Sequence, residues 1–187
     1  MHQQKSQLRD DIEERLSRLS AKDRTAESRS ICRRLTELLP QKLVTICAYV
    51  PLKNEVDINS LLRHLLEKDY SLFLPRFEGG KLAFRRTQNL SELERGPLGN
   101  LESLITNEEL DPKVLSHVLI PGRAFDRSGG RLGRGNGGYD HWIDGQRKEN
   151  PETVFWGVCF ECQLTHEIPM EAHDERVDAV VTARGFV

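Results

Sequence analysis

The sequence has 187 residues, of which 37% are hydrophobic and 30% are charged, and its formal net charge is -2. This composition excludes a disordered chain, and the small negative charge gives no general attraction to nucleic acid. No apolar run approaches the roughly 18 residues of a membrane helix, and residues 1–23 are charged throughout. We therefore expect no membrane span, secretory signal or lipid anchor.

The N-terminal part of the sequence predicts two helices followed by a βαβ unit. Leu8, Ile12, Leu16 and Leu19 recur at helical spacing, and a similar pattern repeats before Pro40 ends the second helix. Next come a β-branched run, a helical pattern and a second short apolar run, which predict a right-handed crossover between parallel strands. These three segments are residues 43–50, 58–68 and 70–76.

The remainder of the chain predicts further strands and one more helix, which starts near residue 138. We expect an α/β fold in which helices cover a mostly parallel sheet, as a single three-layer domain over residues 1–187 with a glycine-rich phosphate loop. The further strands are expected at residues 81–86, where the strand lies at an edge, and at residues 115–122, 153–160 and 177–183. In such folds ligands collect at the carboxyl ends of the strands, and three loops are expected there, at residues 50–57, 129–142 and 166–178.

The cysteine content indicates a reducing compartment, and we expect the cytoplasm. Four cysteines in a chain of this size predict no disulfide scaffold. Cys159 and Cys162 form a C-x-x-C, but the surrounding residues 154–164 resemble a strand, on which the two side chains would face opposite ways. No second ligand pair with zinc spacing is evident, so we interpret these residues as thiols without chemistry.

The segment 129–142, GGRLGRGNGGYDHW, has six glycines and is the strongest local signal for a ligand site. Gly133, Gly135 and Gly138 match G-x-G-x-x-G, but the match does not follow the first strand, and no Gly-Lys-Ser/Thr follows it, so neither a dinucleotide fingerprint nor a P-loop is indicated. Glycines let backbone N–H groups converge on phosphate oxygens, and Arg131 and Arg134 add positive charge to that of a helix N-terminus.

Two other interpretations of this segment stay open at this point. A turn-rich loop with solvated arginines would have the same composition. An RNA-binding RGG segment is a second alternative, although such segments are usually repeated and this one is single and lies in an acidic chain. If the phosphate interpretation holds, Asp140 is placed to hold a magnesium ion.

Four segments in order give the chain a resemblance to a known family. Residues 119–143, LIPGRAFDRSGGRLGRGNGGYDHWI, resemble the signature of the 5-formyltetrahydrofolate cyclo-ligases, also called methenyltetrahydrofolate synthetases. Residues 5–9, 48–76 and 168–185 resemble three further segments of that family. The resemblance implies an ATP- and Mg²⁺-dependent cyclisation of 5-formyltetrahydrofolate to 5,10-methenyltetrahydrofolate, with release of ADP and phosphate.

The resemblance also implies a role for individual residues. Asp140 and Asp174 would be the magnesium ligands, and Lys5, Arg134 and Tyr139 the catalytic residues. ATP would be bound by Lys5, Arg9, Arg131, Leu132, Gly133, Arg134, Gly135, Asn136, Gly137, Gly138 and Tyr139. The reduced folate would be bound by Val50, Glu55, Arg134, Gly135, Asn136, Gly137 and Gly138.

Three departures from the family pattern concern the folate side. Gly138 stands where the family usually has a tyrosine, His141 stands where a basic residue is common, and Ser103 replaces a proline. We therefore expect weaker folate binding than in a typical relative, with Trp142 as a candidate substitute ring or simply a core residue. A relative that acts on another formamide or amide, and a folate- or nucleotide-binding protein without turnover, are the alternatives. We expect a monomer without nucleic-acid or membrane partners.

Overall fold

A seven-stranded β-sheet is the main element of the structure, a computed structural model that describes residues 1–40, 44–96, 99–135 and 137–187. Its strands are β1 (Thr45–Cys47), β2 (Ser71–Glu78), β3 (Lys81–Arg86), β6 (Leu115–Pro121), β9 (Val154–Val158), β11 (Ala179–Thr182) and β12 (Gly185–Phe186). Two small sheets add β4 (Glu94–Arg95) with β5 (Leu101–Glu102), and β7 (Ala124–Asp126) with β8 (Arg131–Leu132) and β10 (Leu164–Thr165). The helices are α1 (His2–Arg18), α2 (Ala21–Leu38), α3 (Asn59–Glu67) and α4 (Gly138–Glu149).

The large sheet is mostly parallel, which confirms the expected fold class. Its strand order is β12-β11-β9-β6-β1-β2-β3, and the five central strands pair in parallel. The two edge strands, β3 and β12, are antiparallel to their neighbours. The predicted edge strand at residues 81–86 is confirmed, because β3 has those bounds.

Helices cover both faces of this sheet. Along β6, Leu119 packs into a core with Ile12 and Leu16 of α1, whereas Val118 and Ile120 pack into a second core with Ile143 of α4. This alternation follows from the two-residue period of a strand, which turns successive side chains to opposite faces. The three-layer arrangement is therefore confirmed. Among the described residues no helix has the length and apolar content that crossing a membrane requires.

Three sequence expectations differ from the structure. The strand expected at residues 43–50 has only three residues, Thr45–Cys47; Ala48 N still donates to the carbonyl oxygen of Phe73 in β2 at 3.1 Å, and after it the chain enters the loop toward the cavity described below. Residues 41–43 lie outside the described part. The C-x-x-C is not on one strand: β9 ends at Val158, and Cys162 lies in a short 3₁₀ turn, Glu161–Gln163. The first part of the glycine-rich loop is not irregular, since Arg131–Leu132 form β8, which makes a hairpin with the preceding strand β7.

Asp126 organises that hairpin. Its Oδ1 accepts hydrogen bonds from the backbone N–H groups of Ser128 and Gly130, both at 2.9 Å, and its Oδ2 accepts one from Ile168 N at 2.8 Å. Gly129 has a φ of +83°, and a Cβ there would lie 2.1 Å from the carbonyl oxygen of Val177, so no larger residue fits. The first half of the loop is therefore fixed by packing, which positions the second half.

Candidate active site

The three loops predicted at the carboxyl ends of the strands meet around one cavity of about 420 Å³. Val50 and Glu55 come from the loop after β1, Arg131 to Gly135 from the glycine-rich loop, and Asp174 from the loop before β11. Helix α1 lies against the same opening, so that Lys5 and Arg9, one turn apart, both line it. The cavity thus joins residues that are far apart in the chain, such as Lys5 and Asp174, which are separated by 169 positions.

Four cations line one side of the cavity. Arg9 Nε donates to the carbonyl oxygen of Gly133 at 3.0 Å, which fixes α1 to the glycine-rich loop. The Arg131 side chain is only 3% exposed, and its guanidinium lies 5.4 Å from the centre of the Tyr139 ring. Arg134 is 46% exposed and reaches across to Glu55. The alternative of a loop with solvated arginines is therefore wrong for Arg131.

Helix α4 begins at the cavity. Its N-cap, Gly137, has a φ of +66°, a left-handed conformation that favours glycine. The ring of Tyr139 follows within the first turn and lines the cavity, and burial raises the pKa of its hydroxyl well above the ordinary value of 10.0. That hydroxyl is therefore a hydrogen-bond donor near neutral pH. The start of a helix also supplies unpaired N–H groups, which favour anions.

Carboxylates face these cations. Asp140 Oδ1 accepts from Arg131 Nη2 at 2.9 Å and from Glu175 N at 3.3 Å. Because Glu175 directly follows Asp174, the second hydrogen bond joins the segments that carry the two predicted metal residues, Asp140 and Asp174. Asp174 Oδ2 lies 2.5 Å from Lys5 Nζ. Burial by itself raises the pKa of Asp174, but the hydrogen bonds from Lys5 and from the backbone of Glu171 outweigh it and lower the pKa below 3.8.

Lys5 is largely buried between two carboxylates. Its side chain is 11% exposed, and its ammonium lies between Asp174 and Glu171, 2.8 Å from the latter. Burial alone lowers the pKa of Lys5, yet the two carboxylates more than compensate and raise it above 10.5. An ammonium between two carboxylates is a stand-in cation, and oxygen ligands are what Mg²⁺ prefers. The donor set therefore fits a magnesium ion.

Another part of the cavity lining is largely apolar. It includes Pro75, Phe77, Leu82 and Leu101, with Val50 from the loop after β1. Glu55 is the exception: its carboxylate is 10% exposed, Oε2 accepts from Leu52 N at 3.0 Å, and Oε1 accepts from Arg134 Nη2 at 3.1 Å. An apolar wall with one fixed carboxylate suits a flat heteroaromatic ring that carries N–H donors.

Several predicted residues lie elsewhere. Gly138 lines a second concavity of about 350 Å³, together with His141 and Trp142. The Trp142 ring packs 4.4 Å from that of Phe84, centre to centre, so the core interpretation of Trp142 is the one the structure supports. Ser103 is buried and its hydroxyl lies 2.6 Å from that of Thr87. The remaining predicted residue, Asn136, lies outside the described part of the chain.

Among the charged groups near Asp174, the sequence interpretation missed Glu171 and His173, which both line the cavity. The candidate ligand atoms of Glu171, His173 and Asp174 all lie within 4.8 Å of one another. The concentration of acidic and histidine residues in the segment 166–178 was the available signal, but spacing in a loop does not show which side chains converge. Among the described residues all four cysteines are free, and none lines this cavity.

The chain is similar to known proteins over nearly its whole length. The model of the 5-formyltetrahydrofolate cyclo-ligase family matches residues 1–183. The probable 5-formyltetrahydrofolate cyclo-ligase of Schizosaccharomyces pombe is 30% identical over 97% of this chain and 96% of its own. The 5-formyltetrahydrofolate cyclo-ligase of Escherichia coli is 31% identical over 74% of this chain and 77% of its own. The NMR structure of the Aquifex aeolicus 5,10-methenyltetrahydrofolate synthetase is 31% identical and aligns with a TM-score of 0.81 over 97% of this chain and 91% of that one.

Proposed function

The chain belongs to the 5-formyltetrahydrofolate cyclo-ligase family, and we propose that it converts 5-formyltetrahydrofolate to 5,10-methenyltetrahydrofolate at the expense of ATP. The observation that carries the proposal is that four basic side chains and the carboxylates of Asp140 and Asp174 line one cavity; the basic residues are Lys5, Arg9, Arg131 and Arg134. Phosphoryl transfer depends almost entirely on positioning and on charge stabilisation, and these are the groups that supply both.

The proposed chemistry has two steps. The formyl oxygen on N5 attacks the γ-phosphorus of ATP, and ADP leaves with the electron pair of the broken P–O bond. N10 then attacks the activated formyl carbon and loses its proton, and phosphate leaves with the former formyl oxygen. A formamide oxygen is a poor leaving group until it is phosphorylated, which explains why the site must bind a nucleotide and a folate side by side.

The cations and the glycine-rich loop are assigned to the nucleotide. Lys5 and Arg9 of α1 would bind the phosphates. Arg131 and the backbone of residues 132–135 and 137–139, in the glycine-rich loop and the start of α4, would bind them as well. Arg134 and Lys5 would stabilise the charge that develops on the transferred phosphoryl group. Tyr139, whose pKa is raised by burial, would donate its hydroxyl proton in a hydrogen bond.

Asp140 and Asp174 are assigned to magnesium. When bound, Mg²⁺ neutralises phosphate charge and orients the phosphates for in-line attack. Within the described part of the chain, both hydrogen bonds that Asp140 accepts go to Oδ1, so Oδ2 of the same carboxylate would be the oxygen for a ligand contact. Arg131 and the backbone of Glu175 thereby fix the orientation of Asp140.

Val50 and Glu55 are assigned to the reduced folate, with Arg134, Gly135 and Gly137 at the boundary with the nucleotide. The Glu55 carboxylate is held by Leu52 N, so it presents a fixed acceptor to N–H donors of the substrate. Asn136 and Gly138 complete the predicted folate set. We propose the reducing cytoplasm as the compartment, since the four cysteines are free, and a small-molecule folate as the partner.

One experiment tests this function against its alternatives. The protein is incubated with 5-formyltetrahydrofolate, with and without MgATP, and the methenyl product is followed by its near-ultraviolet absorbance. Product that requires both ATP and Mg²⁺ is the expected result. ATP binding without product would favour a different formamide or amide substrate, and folate binding without use of ATP would favour a binding protein without turnover.

A further inference from the structure

Lys5 occupies a position that the proposed function assigns to a metal ion. Its ammonium lies 2.5 Å from Asp174 Oδ2 and 2.8 Å from Glu171 Oε2. The same Asp174 oxygen also accepts the backbone N–H of Glu171 at 2.7 Å, so this short segment is organised around one cation position. His173 Nε2 lies 3.8 Å from the other Asp174 oxygen and completes the cluster.

A divalent cation and the Lys5 ammonium compete for these carboxylates. Placing Mg²⁺ beside an ammonium a few ångströms away is opposed by Coulomb repulsion, which is stronger in a partly buried site than in water. Lys5 is 11% exposed and Asp174 is 11% exposed, so solvent screens the repulsion only weakly. Metal binding at Asp174 therefore requires that Lys5 leaves.

The phosphates of a bound nucleotide would offer Lys5 an alternative anionic partner. Lysine carries its charge on a flexible four-carbon stem, so the ammonium can exchange one anionic partner for another while α1 stays in place. The cation that pairs with the other assigned metal residue, Asp140, is held more rigidly than Lys5. Arg131 is 3% exposed, stacks on Tyr139 and binds Asp140 through a fixed guanidinium. The exchange is thus confined to Lys5.

We infer that Lys5 acts as a stand-in cation, held by Asp174 and Glu171, which keeps Mg²⁺ out of the site until a nucleotide draws the lysine to its phosphates. Glu171 is thereby assigned to the metal site as a positioning residue, a role that the family resemblance did not imply. The inference rests on the proposed function for the identity of the nucleotide and the metal. Its consequence is that metal and nucleotide bind together rather than independently.

The test measures metal binding without any nucleotide or turnover. Mn²⁺ replaces Mg²⁺, and its binding to the full chain is followed by electron paramagnetic resonance. We expect wild type to bind Mn²⁺ weakly and Lys5→Met to bind it at least tenfold more tightly, because the carboxylates are released. In Lys5→Met/Glu171→Gln most of that gain should disappear.

Arg9→Met is the matched control. Arg9 lies one turn from Lys5 on the same face of α1 but donates to a backbone carbonyl, so its removal frees no carboxylate. We expect Arg9→Met to weaken ATP binding with no gain in Mn²⁺ affinity. A gain of the same size in both variants would show a general change in surface potential and would overturn the inference.

Two further results would also overturn it. One is a folded Lys5→Met, judged by circular dichroism, with the Mn²⁺ affinity of wild type. The other is tight Mn²⁺ binding by wild type alone, which needs no variant to fold. Either result together with MgATP-dependent folate turnover by wild type would refute only the exchange. A gain in Mn²⁺ affinity in Lys5→Met, together with no MgATP-dependent folate turnover by wild type, would leave the exchange intact and refute the proposed reaction.

Discussion

Arg134 and Glu55, 79 residues apart, form an ion pair of 3.1 Å across the mouth of the cavity. The pair joins the loop assigned to the nucleotide to the loop assigned to the folate. Arg134 is 46% exposed, so the pair itself contributes little to stability. Under the proposed assignments, both side chains would face the boundary between the two substrates.

Glu55→Gln is expected to weaken folate binding selectively. The glutamine keeps an oxygen for Leu52 N but loses the charge that strengthens hydrogen bonds from substrate N–H groups. We expect a loss of about 1.5 to 3 kcal/mol in folate affinity, roughly 10- to 150-fold, with less than a threefold change for ATP. Isothermal titration of each ligand separately measures both. Glu13→Gln is the control, since Glu13 pairs with Arg123 at 2.6 Å and does not line the cavity.

Asp140→Asn is expected to raise the Mg²⁺ concentration needed for half-maximal turnover by about tenfold or more and to lower the turnover itself. The asparagine oxygen can still accept from Arg131 and Glu175 N, so the fold should be kept. Asp174→Asn should act in the same direction. Asp144→Asn, one turn further along α4, removes a carboxylate that pairs with Lys148 at the surface and should change nothing. Unchanged Mg²⁺ dependence in both cavity variants would refute the metal assignment.

Asp126→Asn is expected to destabilise the protein by about 2 to 4 kcal/mol. Backbone N–H groups donate to both carboxylate oxygens of Asp126, so in the variant one of these donors would face the side-chain NH₂ of asparagine and lose its acceptor. Urea unfolding measures the difference, and Asp10→Asn, at an exposed position on α1, serves as control. A loss below about 0.5 kcal/mol would show that the hairpin does not depend on this carboxylate.

The same residue gives a pH dependence with a definite sign. Burial by itself raises the pKa of Asp126, but the hydrogen bonds from Ser128, Ile168 and Gly130 outweigh it and hold the pKa below 3.8. The stabilisation from the carboxylate is therefore complete above pH 3.8 and is lost as the pH falls through the lower, folded value. The stability difference between wild type and Asp126→Asn should shrink over that acidic range. A difference that stays constant down to pH 2 would contradict this account.

Gly138→Tyr introduces the tyrosine that the family usually has at this position, and it distinguishes two expectations for where the added ring packs. The sequence predicts that the added ring restores a folate contact. The structure places Gly138 on the second concavity with Trp142, so we expect the ring to pack there and to change folate and ATP affinity by less than about twofold. Gly145→Tyr adds the same ring to the same concavity and is the control. A tenfold rise in folate affinity for Gly138→Tyr alone would show that its ring reaches the cavity.

The sequence by itself determined the elements and the family. Apolar periodicity gave both N-terminal helices, the alternation of the sheet and the bounds of β3, because it records which side of each element is buried. The spacing of Lys5 and Arg9 placed both on one face of α1, and both line the cavity. The structure places Leu119 and Ile120 in different cores, as the two-residue period of a strand requires.

Only the tertiary structure decided how the charged groups pair. Lys5 and Asp174 are 169 residues apart, and nothing in local spacing shows that an ammonium from α1 lies between Asp174 and Glu171. The tertiary structure also showed that Gly138 lines the second concavity and that β9 ends before Cys159. The physical reason is that periodicity reports burial along one segment, whereas ion pairs and cavity walls depend on the mutual placement of segments that only packing brings together.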